Sequence, residues 1–219
     1  MSIAKELEHL KELVVKMSIY VETTIKDAVN ALVERDDNLA MKVISGDQLI
    51  NEQDVQVDET CIRILALTQP MAKDLRFITT AMKITTDLER IADNAVNIAE
   101  RALELNKEPL LKPYIDIPRM SRISQQMVRD SINAFINGDI TLAKEVIMTD
   151  DEIDDLTEKI WKELMGIMTS DPTTITRAVK ITYVSKYLER IADHATNIAE
   201  DVIYLIGGKI IRHMEPDQI

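Results

Sequence analysis

Residues 88–100 read LERIADNAVNIAE, and residues 188–200 read LERIADHATNIAE. The two stretches agree at eleven of thirteen positions at an offset of 100 residues, differing only at Asn94/His194 and Val96/Thr196. A weaker echo runs ahead of each at an offset of 103: Leu39, Ala40, Val43, Ile44, Asp47 and Ile50 match Leu142, Ala143, Val146, Ile147, Asp150 and Ile153. Two matches in the same order mark a tandem duplication, the first thing to settle about any fold.

Through residues 88–100 and just beyond both ends the apolar positions keep helical spacing. Ile84, Leu88, Ile91, Ala95, Ile98 and Ala102 fall 4-3-4-3-4 apart, a seam along one side of a helix. Ala92, Ala95 and Ala99 leave room for a neighbouring helix to come close. Five glycines and six prolines punctuate 219 residues, and they divide the chain into six helical stretches. Residues 3–32 end at Glu34-Arg35-Asp36-Asp37, which supplies the next N-cap, and residues 37–67 end at Thr68-Gln69-Pro70, with Pro70 expected in the first turn of helix 3. Pro109, Pro113 and Pro118 mark a linker at 107–118. Helices are then expected at 119–136, 141–169 and from Asp171-Pro172 up to Gly207-Gly208. The fold predicted is all-α: an antiparallel three-helix bundle at 1–106, a second at 119–208, and a tail at 209–219.

Charge narrows the partners. Thirty-eight acidic against 26 basic residues give a formal net charge of −12. Such a chain is repelled by nucleic acid and by anionic membrane surfaces, so nucleic acid is excluded and any membrane association is expected only through partner proteins. Residues 1–13 lack the apolar core of a signal peptide and no run is long and apolar enough to span a bilayer, which points to the cytoplasm. Cys61 sits among Ile62, Ile64 and Leu65 and reads as a core thiol. Glycine-rich phosphate loops, nucleophile elbows and Cys/His zinc spacings are absent from the sequence.

The acidic residues are not scattered. Glu89, Asp93, Asn97 and Glu100 form a stripe roughly opposite the seam, and Glu189, Asp193, Asn197 and Glu200 repeat it unchanged. A solvated face would account for either stripe alone, but not for the same identities in two diverged halves. Like charges one turn apart also repel by about 0.2–0.5 kcal/mol per pair unless something neutralises them. Arg90 and Arg190 stand one residue off the stripe. A cation would relieve the repulsion, and paired carboxylates suit hard ions such as iron, manganese, magnesium or calcium, with zinc or nickel able to substitute. Two carboxylates are too few, so a partner helix must contribute. Helix 2 offers Asp47, Asn51, Asp54 and Asp58 beside a seam of Val43, Ile50, Val57, Cys61 and Ile64. Helix 5 offers Asp150, Asp154 and Glu158, with Thr157 where Asp54 would fall. A metal site in each repeat is the expectation.

Lesser candidates have plainer readings. Glu6-x-x-His9 lacks the second such pair that a di-iron centre needs. His194 reads as a surface or capping histidine that could join a metal shell, His213 lies in the tail, Arg76 is expected to pair with Asp74, and Trp161 to pack beside the core. An enzyme with carboxylate-bridged metals inside the bundle, and a purely structural scaffold, are the competing classes. The first buries its ligands and adds histidines, of which this chain has three.

The duplicated Glu-x-x-x-Asp motif, Glu89-Arg90-Ile91-Ala92-Asp93 and Glu189-Arg190-Ile191-Ala192-Asp193, each followed by an Asn and then Ile-Ala-Glu, resembles the signature of the PhoU family. Gln69-Pro70 through Asp74-Leu75-Arg76, Val57-Asp58-Glu59 with Cys61-Ile62-Arg63-Ile64, and Asp171-Pro172 with Thr174-Ile175 extend the resemblance over nearly the whole chain. It implies a negative regulator of phosphate uptake and of the phosphate-starvation response. Such a protein would be a homodimeric adaptor between a phosphate ABC transporter and a sensor histidine kinase, holding multinuclear metal clusters, iron among them, on its acidic motifs. Asn51 and Thr157 depart from a full carboxylate set.

Overall fold

The computed structural model describes residues 2–208; the predicted tail at 209–219, with His213, lies outside the described residues. Six long helices and one short turn of 3-10 helix follow in order: α1 (Ile3–Val33), α2 (Asp37–Thr68), α3 (Ala72–Leu105), α4 (Asp116–Asn137), α5 (Ile140–Ser170), the 3-10 turn (Pro172–Thr174) and α6 (Ile175–Gly207). α1–α3 form one antiparallel bundle and α4–α6 the other, as the duplication predicts.

The turns repeat as well as the helices. Asp36 caps α2 by accepting from the Leu39 amide at 3.0 Å, and Asp139 caps α5 by accepting from the Leu142 amide at 3.0 Å. Gly138 and Gly208, at φ +66° and +67°, end α4 and α6 in the left-handed conformation that costs glycine least. Arg35, at φ +58°, takes the same conformation in the first repeat, and its guanidinium donates to the Glu108 carbonyl at 2.7 Å, tying the α1–α2 turn to the end of α3.

Two boundaries differ from the expectation, and both involve proline. Pro70 does not open α3: Gln69 ends α2 in the left-handed conformation and Met71 is the N-cap. Pro70 thus serves as a stop after α2, a position where proline is also common. Pro118 does not belong to the linker, because α4 already begins at Asp116. As the third residue of the helix, Pro118 lacks an amide hydrogen that would have had no partner inside it. Asp116 itself is buried and accepts from Lys159 Nζ of α5 at 2.9 Å. Asp171 and Pro172 act as predicted, but on a 3-10 turn that leads into α6; Asp171 accepts from the Thr173 amide at 3.0 Å.

All six residues of the α3 seam are fully buried, as are Ala92, Ala99 and their counterparts Ala192 and Ala199. The buried apolar side chains of both repeats make one continuous core. Its centre is the packing of α3 against α6, extended by α1 against α4; α2 and α5 lie outermost, each packed on the helices of its own repeat. Polar ties cross the same seam: Arg129 Nη2 meets Glu22 at 2.6 Å, Lys83 Nζ meets Asp201 at 3.2 Å, and Lys180 Nζ meets Glu104 at 3.3 Å. Among the described residues no helix is long and apolar enough to cross a membrane.

A shared core couples the repeats energetically. Replacing the buried Leu88 by Ala is expected to cost about 2–5 kcal/mol while leaving one cooperative unfolding transition. Calorimetry of Leu88→Ala and Leu188→Ala checks this, and a first repeat that melted separately from the second would contradict the shared core.

Candidate metal-binding faces

The outer helix of each repeat meets the inner one along an acidic seam. In the first repeat α2 supplies Asp47, Asp54 and Asp58, and α3 supplies Glu89, Asp93 and Asn97; all six are half-buried. That is the first departure from the expected stripe, which was placed opposite the core. The core of a three-helix bundle wraps round more than half of α3, so the stripe falls at the α2–α3 groove.

The carboxylates there feel one another. Partial burial raises the Glu89 pKa, with Asp93, Asp54 and Asp47 adding to the rise and Arg90 opposing it. Asp93 is raised by burial and then by Asp47, again against Arg90. Asp54 is raised by burial and by Asp58, offset by a hydrogen bond from Thr85. So the α2 and α3 ladders face the same groove. Arg90 is drawn to both α3 carboxylates, at 3.5 Å from Glu89 and 3.4 Å from Asp93, and Asn51 donates to Asp47 at 3.0 Å.

The second repeat concentrates its charge. Asp150 Oδ1 is buried without a hydrogen-bond partner. Burial, then Asp193, Asp154, Asp151 and Glu189, push the Asp150 pKa up to about 7. Asp154 and Asp193 are more open to solvent, yet both are raised, by partial desolvation first and by Glu189 second. Lys186 lies 2.6 Å from Glu189 and eases the crowd. Glu158 is exposed and engaged by Lys162 at 2.6 Å, while Asn197 is half-buried one turn beyond Asp193. The structure therefore brings Asp150, Asp154, Glu189 and Asp193 together and leaves Glu158 at the margin.

The donors are hard oxygens of the kind that take iron, manganese, magnesium or calcium, and the unpartnered Asp150 oxygen is open to a cation or a proton. Their spacing is less complete. Among the described residues no three Asp, Glu, His or Cys side chains stand close enough to share one ion.

Several smaller readings change. His194 is neither a free surface group nor a cap: its Nδ1 lies 2.8 Å from Asp87, joining α6 to α3. Arg76 has no ion pair with Asp74, and its Nε is buried without a partner. Trp161 is 48% exposed instead of packed beside the core. Cys61 is buried as expected, its thiol pushed up to about 12 by burial and then by Asp58. Thr85 and Lys186 were missed; Lys186 was legible as a cation three residues before Glu189, whereas Thr85 carries no sequence signal.

Fold and site define a class, the duplicated three-helix bundle with an acidic groove in each half. The comparisons with known proteins give that class a family. The model of the PhoU domain matches residues 14–102 and again 117–202. A phosphate-specific transport system accessory protein PhoU homolog of Aquifex aeolicus is 47% identical over 213 residues, covering 97% of this chain and 96% of that one. The homolog of Pseudomonas aeruginosa is 40% identical over 210 residues, 95% of this chain and 87% of that one. The crystal structure of PhoU from Pseudomonas aeruginosa superposes with a TM-score of 0.91 at 39% identity, covering 95% of this chain and all (100%) of that one. The phosphate transport system regulatory protein PhoU from Streptococcus pneumoniae gives 0.89 at 30% identity, covering 95% and 99%. The chain belongs to the PhoU family.

The raised Asp150 sets a pH dependence in metal-free protein. Its folded-state pKa lies above the unfolded value, so the folded chain binds more protons between pH 3.8 and about 7, and stability falls as pH rises through that window. Asp150→Asn removes the charge. It is expected to raise the melting temperature at pH 8 by roughly 2–4 °C, allowing for solvent screening, and by less at pH 5. Melting curves at the two pH values check this; an equal gain at both would contradict it.

Proposed function

We propose that this protein is a non-enzymatic regulator of phosphate uptake, accessory to a phosphate-specific transport system, whose acidic grooves load metal ions. In this reading it is a homodimeric cytoplasmic adaptor between the phosphate ABC transporter and a sensor histidine kinase, damping the phosphate-starvation response. The observation that carries the metal reading is the pair of half-buried grooves in which carboxylates of two helices raise one another's pKa. Like charges are held together there at a cost that a bound cation removes. The regulatory part rests on relatives named as accessory or regulatory proteins of phosphate transport that align over nearly the whole chain.

Asp47, Asp54, Glu89 and Asp93 would hold metal in the first repeat, with Asp58 and Asn97 at the flanks. Asp150, Asp154, Glu189 and Asp193 would do so in the second, with Glu158 and Asn197 at the edge. Side-chain rotation by Asp and Glu would draw the oxygens inward, since each ladder already faces its partner. Iron is the first ion to test, with zinc and nickel as substitutes.

Chain loaded with iron, desalted and measured by elemental analysis is expected to retain metal, and the Glu89→Ala/Asp93→Ala double variant to retain less, keeping the second-repeat share. Unchanged metal content in the variant would remove the first-repeat site. The regulatory role is tested separately: deleting the gene should raise phosphate uptake and phosphatase expression in phosphate-rich medium, and unaltered levels would argue against it.

A further inference from the structure

The two repeats meet at one end of the molecule around a cleft of about 740 Å³, away from both acidic grooves. The start of α1, the start of α3, the end of α4 and the end of α6 line it. Leu7, Phe77, Ile136 and Leu205 supply apolar wall, and Phe77 of the first repeat stacks on Phe135 of the second at 4.8 Å between ring centroids.

Among the described residues its charged groups are Lys11, Lys73 and Arg76 against Glu8 and Asp74, a net positive set on a chain of net charge −12. Lys11 lies 5.7 Å over the Phe77 ring and 3.8 Å from Glu8. Asp74 sits in the first turn of α3, where helix amides already favour a carboxylate. Arg76 is the anomaly. Other partly buried cations, Arg101, Lys112, Arg177 and Lys180, each meet a glutamate. Among the described residues Arg76 meets none, and its Nε is cut off from solvent without a hydrogen-bond partner. Leaving a guanidinium donor so placed is costly unless an acceptor arrives.

We propose that this cleft binds a small organic phosphate, with nucleotides the class that fits it best. Arg76 and Lys73 hold the phosphate, and the apolar wall holds the organic body. Guanidinium and ammonium groups beside a helix start are a phosphate-binding set. The volume falls among ligand pockets of about 300–1,000 Å³, far more than one phosphate ion fills, so the ligand carries a body. The cleft shares no residue with the acidic grooves, so it stands or falls apart from the metal reading.

Isothermal titration of the metal-free full chain with AMP, ATP, adenosine and inorganic phosphate tests it. At least one nucleotide is expected to bind with one-to-one stoichiometry and more tightly than either adenosine or inorganic phosphate. Arg76→Gln and Lys73→Gln should each weaken that binding by about tenfold or more, while Glu89→Gln/Asp93→Asn leaves it unchanged. Lys73 is exposed, so Lys73→Gln carries the test if Arg76→Gln fails to fold. No nucleotide binding at millimolar concentration would overturn the proposal. So would binding that survives the cleft substitutions, binding lost in the acidic-groove variant, or inorganic phosphate binding as tightly as the nucleotides.

Discussion

The packing of α3 against α6 constrains the rest of the molecule. Each helix buries its apolar seam and its row of alanines, so three of its sides are committed: one to the other repeat and two to its own bundle. Asp87 with His194 and Lys180 with Glu104 hold the pair in register. What remains for Glu89, Asp93, Glu189 and Asp193 is the narrow groove beside α2 or α5. Glu89, Asp93 and Glu189 are half-buried, and Asp193 stands at the open edge of its groove, because the helix that carries them cannot rotate. A core of this size, at roughly 25 cal/mol per Å² of buried apolar surface, easily outweighs the repulsion it imposes on a few charges.

The repeats impose that repulsion unequally. At the offset of 103, Asp47 corresponds to Asp150, Asn51 to Asp154, Asp54 to Thr157 and Asp58 to Trp161. The first repeat spreads three carboxylates over three turns of α2 and interleaves them with Asn51, which donates to Asp47. In the second, Asp150 and Asp154 stand one turn apart and both face Glu189. Its buried Thr157 has no partner for its hydroxyl. The charge that the first repeat distributes is therefore focused on Asp150, whose pKa is the one pushed to about 7.

Much of this was legible in the chain because it depends on period and repetition. The seam from Ile84 to Ala102, the caps at Asp36 and Asp171, and the stop at Gly208 follow from helical spacing and backbone conformations that local sequence dictates. The ladders on α2 and α3 were legible for the same reason. What sequence could not supply was rotation of one helix against another, which decides that Asp150 meets Asp193 while Glu158 turns to Lys162. The same limit explains Trp161, whose register matches Asp58 on the groove edge and not a seam position. It explains His194 too, since Asp87 comes from the other repeat. Pro70 and Pro118 were misplaced because proline is equally at home just after a helix and inside the next one's first turn.

The outer position of α2 and α5 gives the proposed metal loading a mechanical consequence. Each is held from one side, by helices of its own repeat, whereas α3 and α6 are each packed against three other helices, one of them from the other repeat. Repulsion across an acidic groove thus acts between a fixed helix and one that can yield. Neutralising the groove with a cation removes the outward push on α2 or α5 and leaves α3 and α6 in place. The surface that would respond is the outer one, which carries the exposed Leu49, Val55 and Ile62 of α2 and the exposed Met148, Trp161 and Met165 of α5. The proposed adaptor role would use this division of labour: an inner pair that keeps the two grooves in fixed relation, and outer helices whose seating would follow the charge between them.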